Sequence, residues 1–195
     1  LAEVKFGDSV VVFGIGPVGL MAVAGSKLMG AGQIIAVGTR PNCVEIAKKY
    51  DATNIVSYKE GDLVEQIMTL TNGRGVDAAI VAGGDAKTLA QAMAVTRCGG
   101  SMVNLNVITG TNEFVFDYMS CSGGFMGHKT IRGGLCPGGR RRAERLTNML
   151  LADRVDPSLM VTHEFYGLDK IGEALQLMKD KPKDLIKPIV YVDVE

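Results

Sequence analysis

The sequence has no excess of either charge: Lys+Arg and Asp+Glu each number 21, so the formal net charge is zero. That argues against the basic surface with which proteins hold nucleic acid or an anionic membrane. It has no apolar run long enough to span a bilayer, and no signal peptide opens it. It has no Cys-x-x-Cys pair. The four cysteines (Cys43, Cys98, Cys121, Cys136) are scattered, which removes the sequence signal for a zinc knuckle or a redox pair and points to reduced thiols in a cytoplasmic protein. His128 and His163 stand apart from any cluster of ligands, so an internal metal site is not expected and both read as structural. There is no internal repeat, no low-complexity linker and no initiator methionine. The chain opens Leu1-Ala2-Glu3 directly before a first strand and reads as part of something longer. What is present is 195 residues with 47% hydrophobic and 22% charged side chains, enough for a packed core.

Apolar strand-like runs alternate with helical segments. Expected strands are 10–13, 34–37, 54–56, 76–82, 101–105 and 130–135. Expected helices between and after them are 17–29, 41–50, 62–70, 87–95 and 138–152. A coda of strand 161–165, helix 168–179 and strand 186–192 closes the chain, and the Gly-, Ser- and Thr-rich stretch 107–127 is left unassigned. The run 76–82 is nearly continuous in apolar residues, which suits a parallel strand covered on both faces. Alternation of this kind predicts a parallel sheet with right-handed crossovers.

The first of these units carries the chemistry. Val10–Phe13 runs into Gly14-x-Gly16-x-x-Gly19, then a small-residue helix, then Ile34–Val37. Strand, glycine turn, helix and strand make the half-unit that binds a dinucleotide pyrophosphate. Gly14 permits the tight turn, Gly16 lets backbone approach phosphate, and Gly19 lets the helix pack close to the sheet. Pro17 opens the helix and leaves the amides of Val18 and Gly19 for an anion. The alternative is a glycine turn that serves packing alone.

The end of the second strand selects the dinucleotide. A carboxylate there would hold a free ribose 2′-OH and repel a 2′-phosphate. This chain has Gly38, then Thr39 and Arg40. Glycine removes the repulsion, Thr39 offers a hydroxyl and an amide, and Arg40 offers a guanidinium fork, so NADP is the expected coenzyme. The bland reading makes Arg40 a solvated residue at a helix start, where a cation opposes the helix dipole. Other strand ends meet the same crevice. Tyr58 either stacks on adenine, bonds the 2′-phosphate or is a rim aromatic. Ala82-Gly83-Gly84 leaves room for the nicotinamide ribose. Asn106 either bonds the carboxamide or is a turn asparagine.

With those residues in hand, the chain resembles the coenzyme half of zinc-dependent medium-chain alcohol dehydrogenases, in their NADP-dependent secondary-alcohol branch. The resemblance rests on Gly14-Ile-Gly-Pro-Val-Gly19-Leu-Met, Val37-Gly-Thr-Arg40, Asn72-Gly-Arg-Gly-Val-Asp77, Ala82-Gly-Gly-Asp85, Met126-Gly-His-Lys129, Gly133-Gly-Leu-Cys-Pro-Gly-Gly139 and Lys181-Pro-Lys-Asp-Leu-Ile-Lys-Pro188. It implies a Rossmann-type, doubly wound α/β fold over residues 1–135 and a C-terminal α+β segment, 136–195, that returns to a catalytic domain absent from this chain. It implies reversible oxidation of secondary alcohols to ketones by hydride transfer to NADP, with a zinc that polarises the substrate oxygen. It places Gly38, Thr39, Arg40 and Tyr58 around the 2′-phosphate, Ala82, Gly83 and Asn106 along the nicotinamide riboside, and Lys181 within reach of the coenzyme. Val107 departs from the branch, which often has an aromatic there. The family's zinc ligands match none of this chain's cysteines or histidines, so zinc belongs to the full-length protein and this chain alone is expected to bind NADP(H) without turnover. Family members commonly form dimers or tetramers, with edge-to-edge pairing near 130–135.

Two further expectations concern the tail. Helix 168–179 carries Ile171, Ala174, Leu175 and Met178 on one side, an apolar face expected to be poorly covered or covered by a second copy. Arg140-Arg141-Arg142 with Arg145 reads as a solvated helix face beside Glu144. Two other functions stay open: a stand-alone NADP-binding or redox-sensing module, and a zinc-independent quinone-reductase-like relative.

Overall fold

A computed structural model describes residues 1–110, 113, 115–116, 118–119, 123–136 and 138–192. Cys121, much of 111–122 and the last three residues lie outside the described residues.

Six strands form one parallel sheet: β1 (Ser9–Phe13), β2 (Gln33–Val37), β3 (Asn54–Val56), β4 (Val76–Val81), β5 (Thr96–Asn104) and β6 (Thr130–Gly133). Their order across the sheet is β3-β2-β1-β4-β5-β6. The order reverses between β1 and β4, so the crevice that parallel sheets use for ligands opens at the carboxyl ends of those two strands. Helices α1 (Pro17–Leu28), α2 (Pro41–Lys49), α3 (Leu63–Leu70) and α4 (Ala86–Val95) connect the strands.

Beyond a polar residue at the amino end (Ser9, Gln33, Asp77), the central strands β1, β2 and β4 are apolar because both faces are covered. Side chains alternate between the faces. Val10, Val12, Ile34, Ala36, Ala78 and Ile80 form one core with Leu20 and Val23 of α1 and Cys43, Ile46 and Ala47 of α2. Val11, Phe13, Ile35, Val37, Ala79 and Val81 form the other with Leu63 and Ile67 of α3 and Leu89, Ala92 and Met93 of α4. Full burial of a Val, Leu or Ile side chain contributes about 1.5–3 kcal/mol, so these two layers dominate the stability of the domain. Asp62 caps α3 by accepting from the amides of Val64 and Glu65. Asp85 and Thr88 form a capping box on α4.

At the amino edge of the sheet, Asp77 is nearly buried and fully bonded. Its Oδ2 accepts from the amide and hydroxyl of Ser9 at 2.8 and 2.7 Å, and its Oδ1 accepts from Arg97 Nε at 2.5 Å. Arg74 Nη2 adds a 3.0 Å contact. Burial alone pushes this carboxyl up; the Ser9 and arginine bonds outweigh it and hold it far below the usual carboxylate range.

The tail holds α5 (Arg140–Leu151), β7 (Val161–Tyr166), α6 (Ile171–Asp180) and β8 (Lys187–Tyr191), with β7 and β8 paired in parallel as a separate two-stranded sheet. Met160 and Ile186 reach into the first core, and Tyr50 Oη donates to the Asp156 carbonyl at 2.6 Å. Several element ends differ from expectation. β6 stops at Gly133 rather than 135. Residues 168–170 form a 3-10 turn, and the α-helix starts only at Ile171. β5 begins at Thr96, five residues early, because its pairing with β4 shifts register between Val76 and Ala78. α5 contains no buried residue. Arg140 pairs with Glu144 at 2.6 Å on an exposed surface, as expected of a solvated face. On α6 only Ala174 is buried; Ile171, Leu175 and Met178 are exposed, as the uncovered apolar face required.

Candidate functional site

The crevice at the β1/β4 reversal has a volume of about 300 Å³ and is floored by Gly14, Gly83 and Gly84, with Gly38, Thr39, Arg40 and Tyr58 on one side. Gly14 has φ +83°, the left-handed conformation that favours glycine, and a Cβ there would lie 2.8 Å from Gly83 Cα. The two backbones therefore touch, which makes a shallow cradle with no side chain above it. A Cβ on Gly19 would collide with the Gly14 carbonyl oxygen, so α1 packs against the turn itself. The turn is held in place from both sides: the Gly14 amide donates to Val37 O at 3.1 Å and the Ala82 amide to Phe13 O at 2.9 Å.

Gly16 is the N-cap of α1, with Pro17 opening the helix, and no side chain caps this end. The first intrahelical bond runs from the Leu20 amide to Gly16 O at 2.8 Å. The amides of Val18 and Gly19 precede it and belong to the uncapped, partially positive end of the helix dipole.

Beside this turn stands the corner formed by residues 38–40 and Tyr58. Gly38 supplies no carboxylate. Thr39 Oγ1 donates to Tyr58 Oη at 2.7 Å, so the two hydroxyls form one polar wall. Arg40 is half-buried. Its Nη2 lies 3.8 Å from where a Gly16 Cβ would sit, which brings the guanidinium across the glycine turn. Its Nη1 donates to the Leu185 carbonyl at 2.8 Å, and neighbouring Asn42 Nδ2 donates to the Asp184 carbonyl at 2.7 Å. The tail thus fastens the guanidinium through one nitrogen. Arg40 is a seated residue rather than a solvated one.

Cys43, just below on α2, is buried, and burial pushes its thiol up against the lowering effect of Arg40. It is an inert core thiol.

The remaining expected site residues lie elsewhere. Ala82 sits beneath the floor, where its Cβ faces Gly19. Asn106 Nδ2 donates to the Gly84 carbonyl at 2.8 Å, and its amide bonds the Asn104 side chain, so it staples the loop after β5 to the crevice floor. Lys181 caps α6 with φ +48°. Asn106 and Lys181 are not among the residues lining the crevice. Sequence reasoning missed Ile15, which lines the crevice, and the Leu185 carbonyl on Arg40. Residue spacing carries no signal for either contact.

No group of three His, Cys, Asp or Glu side chains among the described residues is placed to hold a metal ion. His163 instead sits 3.7 Å from Asp184 and bonds Thr162. No helix among the described residues is long and apolar enough to cross a membrane.

Sheet order, glycine cradle and uncapped helix define a Rossmann-type coenzyme domain. The sequence profile of the family described as zinc-binding dehydrogenase matches residues 17–151, and the chain belongs to that family. It is 57% identical over 192 residues to the NADP-dependent isopropanol dehydrogenase of Thermoanaerobacter brockii, covering 98% of this chain and 54% of the relative. It is 55% identical to the enzyme of the same name from Clostridium beijerinckii, covering 98% and 54%. Among solved structures it resembles an alcohol dehydrogenase zinc-binding domain protein from Burkholderia ambifaria, at 29% identity and a TM-score of 0.86, covering 99% of this chain and 50% of that one. The chain spans about half the length of the curated relatives it matches.

Proposed function

We propose that this chain is the NADP-binding part of an oxidoreductase that interconverts secondary alcohols and ketones, small molecules, by hydride transfer. The observation that carries the reading is the corner at residues 38–40: no carboxylate, an open glycine, and a guanidinium seated over the glycine turn by the Leu185 carbonyl. The names of the relatives from T. brockii and C. beijerinckii support both the coenzyme and the substrate class.

In this reading the turn 14–19 binds the pyrophosphate through backbone amides and the dipole of α1. Arg40, Thr39 and Tyr58 hold the 2′-phosphate. The bare floor at Gly83 lets the nicotinamide riboside lie against the sheet, and Asn106 keeps that floor in place from behind. NADP, when bound, accepts or delivers the hydride; the residues named here bind and orient it. Zinc, the family's metal, finds no fitting cluster among the described residues, so no step of the reaction is assigned to them through it.

Residues 1–135 form the coenzyme domain and 136–195 the segment that returns to a catalytic domain. The exposed apolar side of α6 and the absence of buried residues in α5 support that division. We place the protein in the cytoplasm as a homo-oligomer joined along the outer edge of β6, where Ile131 is exposed at the end of the sheet.

Fluorescence titration of the chain with NADPH and NADH tests the reading. A charge-assisted bond is worth about 1.5–3 kcal/mol, so NADPH should bind roughly ten- to a hundred-fold more tightly. Equal affinities, or no binding of either, would refute it.

A further inference from the structure

Arg40 is held by a segment that is itself held. The tail turn 182–186 brings two consecutive carbonyls to the start of α2: Asp184 O accepts from Asn42 Nδ2 at 2.7 Å, and Leu185 O accepts from Arg40 Nη1 at 2.8 Å. The opposite sides of the same two peptide groups are bonded as well. The Leu185 amide donates to Pro182 O at 3.1 Å, and the Ile186 amide donates to Thr162 Oγ1 at 3.0 Å. Leu185 and Ile186 are both buried. Neither peptide plane can rotate without breaking a bond on each side, and a buried polar group that loses its partner costs free energy. Asn42 has one orientation that fits. Its Oδ1 accepts from the Cys43 amide at 2.8 Å, one of the first-turn donors that α2 cannot satisfy internally. Its Nδ2 then meets the Asp184 carbonyl. The reversed amide would set donor against donor and acceptor against acceptor.

We infer that Asn42 is a positioning residue for the coenzyme's 2′-phosphate: it locks the Asp184–Leu185 peptide against α2, so that the Leu185 carbonyl stands where it fixes the Arg40 guanidinium over the glycine turn. Asn42 is not among the residues lining the crevice, so it acts through Arg40 and not on the coenzyme. This inference rests on the NADP reading above and deepens it, because it extends the phosphate corner to a residue of α2 and a turn of the tail that do not border the crevice.

The physical effect is preorganisation. An arginine that becomes ordered only when a phosphate arrives loses its rotamer freedom at that moment, and affinity falls accordingly. An arginine already fixed by folding loses little. Arg40 is the N-cap of α2 and Asn42 lies two residues on, so both arms leave one turn of backbone and grip one turn of the tail. Releasing the Asn42 arm frees the Asp184 carbonyl, loosens the Leu185 carbonyl beside it and returns freedom to the guanidinium. The loss is confined to the coenzyme that carries a 2′-phosphate, and it vanishes once Arg40 is gone: the two substitutions are non-additive.

The test measures NADPH and NADH dissociation constants, with thermal midpoints, for the full chain, Asn42→Ala, Arg40→Ala and the double variant. Asn42→Ala should weaken NADPH roughly three- to tenfold and change NADH by less than about twofold. In the Arg40→Ala background the same substitution should change NADPH binding by less than about twofold. If the parent chain shows no preference for NADPH, the NADP reading fails and this inference falls with it. If the parent prefers NADPH but Asn42→Ala weakens both coenzymes equally, or neither, only the role of Asn42 is overturned. A full loss that persists in the Arg40→Ala background also overturns it, because Asn42 would then act without Arg40. Should Asn42→Ala fail to fold, Asn42→Ser decides by the same criteria: it keeps an acceptor for the Cys43 amide and is too short to reach the Asp184 carbonyl.

Discussion

The six-stranded half and the tail bury their apolar residues to very different extents. In β1, β2 and β4 almost every side chain is inaccessible, and helices cover both faces. In the tail, β7 alternates between half-buried and exposed, α5 buries nothing, and Leu175, at 60% exposed, lies on an uncovered side of α6. One half is covered on both faces of its central strands. The other leans on it through Met160, Ile186 and a few hydrogen bonds, and leaves apolar surface over. The crevice is lined by the first half, yet its arginine is seated by the second.

The sharpest way to break this contrast is a cavity in the covered half. Ile67→Ala should destabilise the chain by about 4 kcal/mol, because Ile67 is fully buried and its neighbours are fixed by the sheet. Urea unfolding measures it, and a loss below about 1 kcal/mol would mean that the second core is loosely packed.

Next in size is Asp77→Asn, expected to cost about 3 kcal/mol near neutral pH, because its single remaining acceptor oxygen strands either Arg97 or the two Ser9 donors and the charge is lost. The pH dependence has a definite sign. The folded-state pKa of Asp77 is depressed, so its stabilisation is fully present above the unfolded value of about 4 and is lost as pH falls towards the folded one. The gap between wild type and Asp77→Asn should therefore be constant from pH 5 to 7 and narrow below about pH 4. A gap that widens on acidification would assign the network a different role.

Arg40→Ala tests the link between the two halves. It should weaken NADPH by roughly ten- to a hundred-fold and leave NADH nearly unchanged. Equal losses for the two coenzymes would mean that Arg40 holds the tail and does not bind phosphate. The smallest effect is expected in the tail itself: Leu146→Ser, at a side chain 58% exposed, should alter stability by no more than about 0.5 kcal/mol. A larger loss would show that α5 is covered in solution.

The architecture was legible because each of its signals is local. Continuous apolar runs marked the two-faced strands, and Gly14-x-Gly16-x-x-Gly19 marked the turn. Boundaries blurred where tertiary contacts intervene, as at β5, whose start is set by an irregular pairing with β4. The supports of the site were not legible. The Leu185 carbonyl reaches Arg40 from 145 residues away, and Ile15 meets Gly38 across two strand ends. Such contacts exist only once the chain has folded. Asn106 and Lys181 show the converse: position next to a strand end or a family motif does not put a side chain on the crevice wall.

Three consecutive valines, Val10 to Val12, present the same shape above and below the sheet, so they carry no information about which way up β1 should lie. A slip by one residue would exchange valine for valine. What forbids the slip stands at the two ends: Ser9 clasped by Asp77, and Gly14 locked against Val37 and Gly83. The acid at the far edge of the sheet is therefore the strand's index mark, and the alignment of the glycine turn about 16 Å away (five residues at roughly 3.3 Å each) is read off from it.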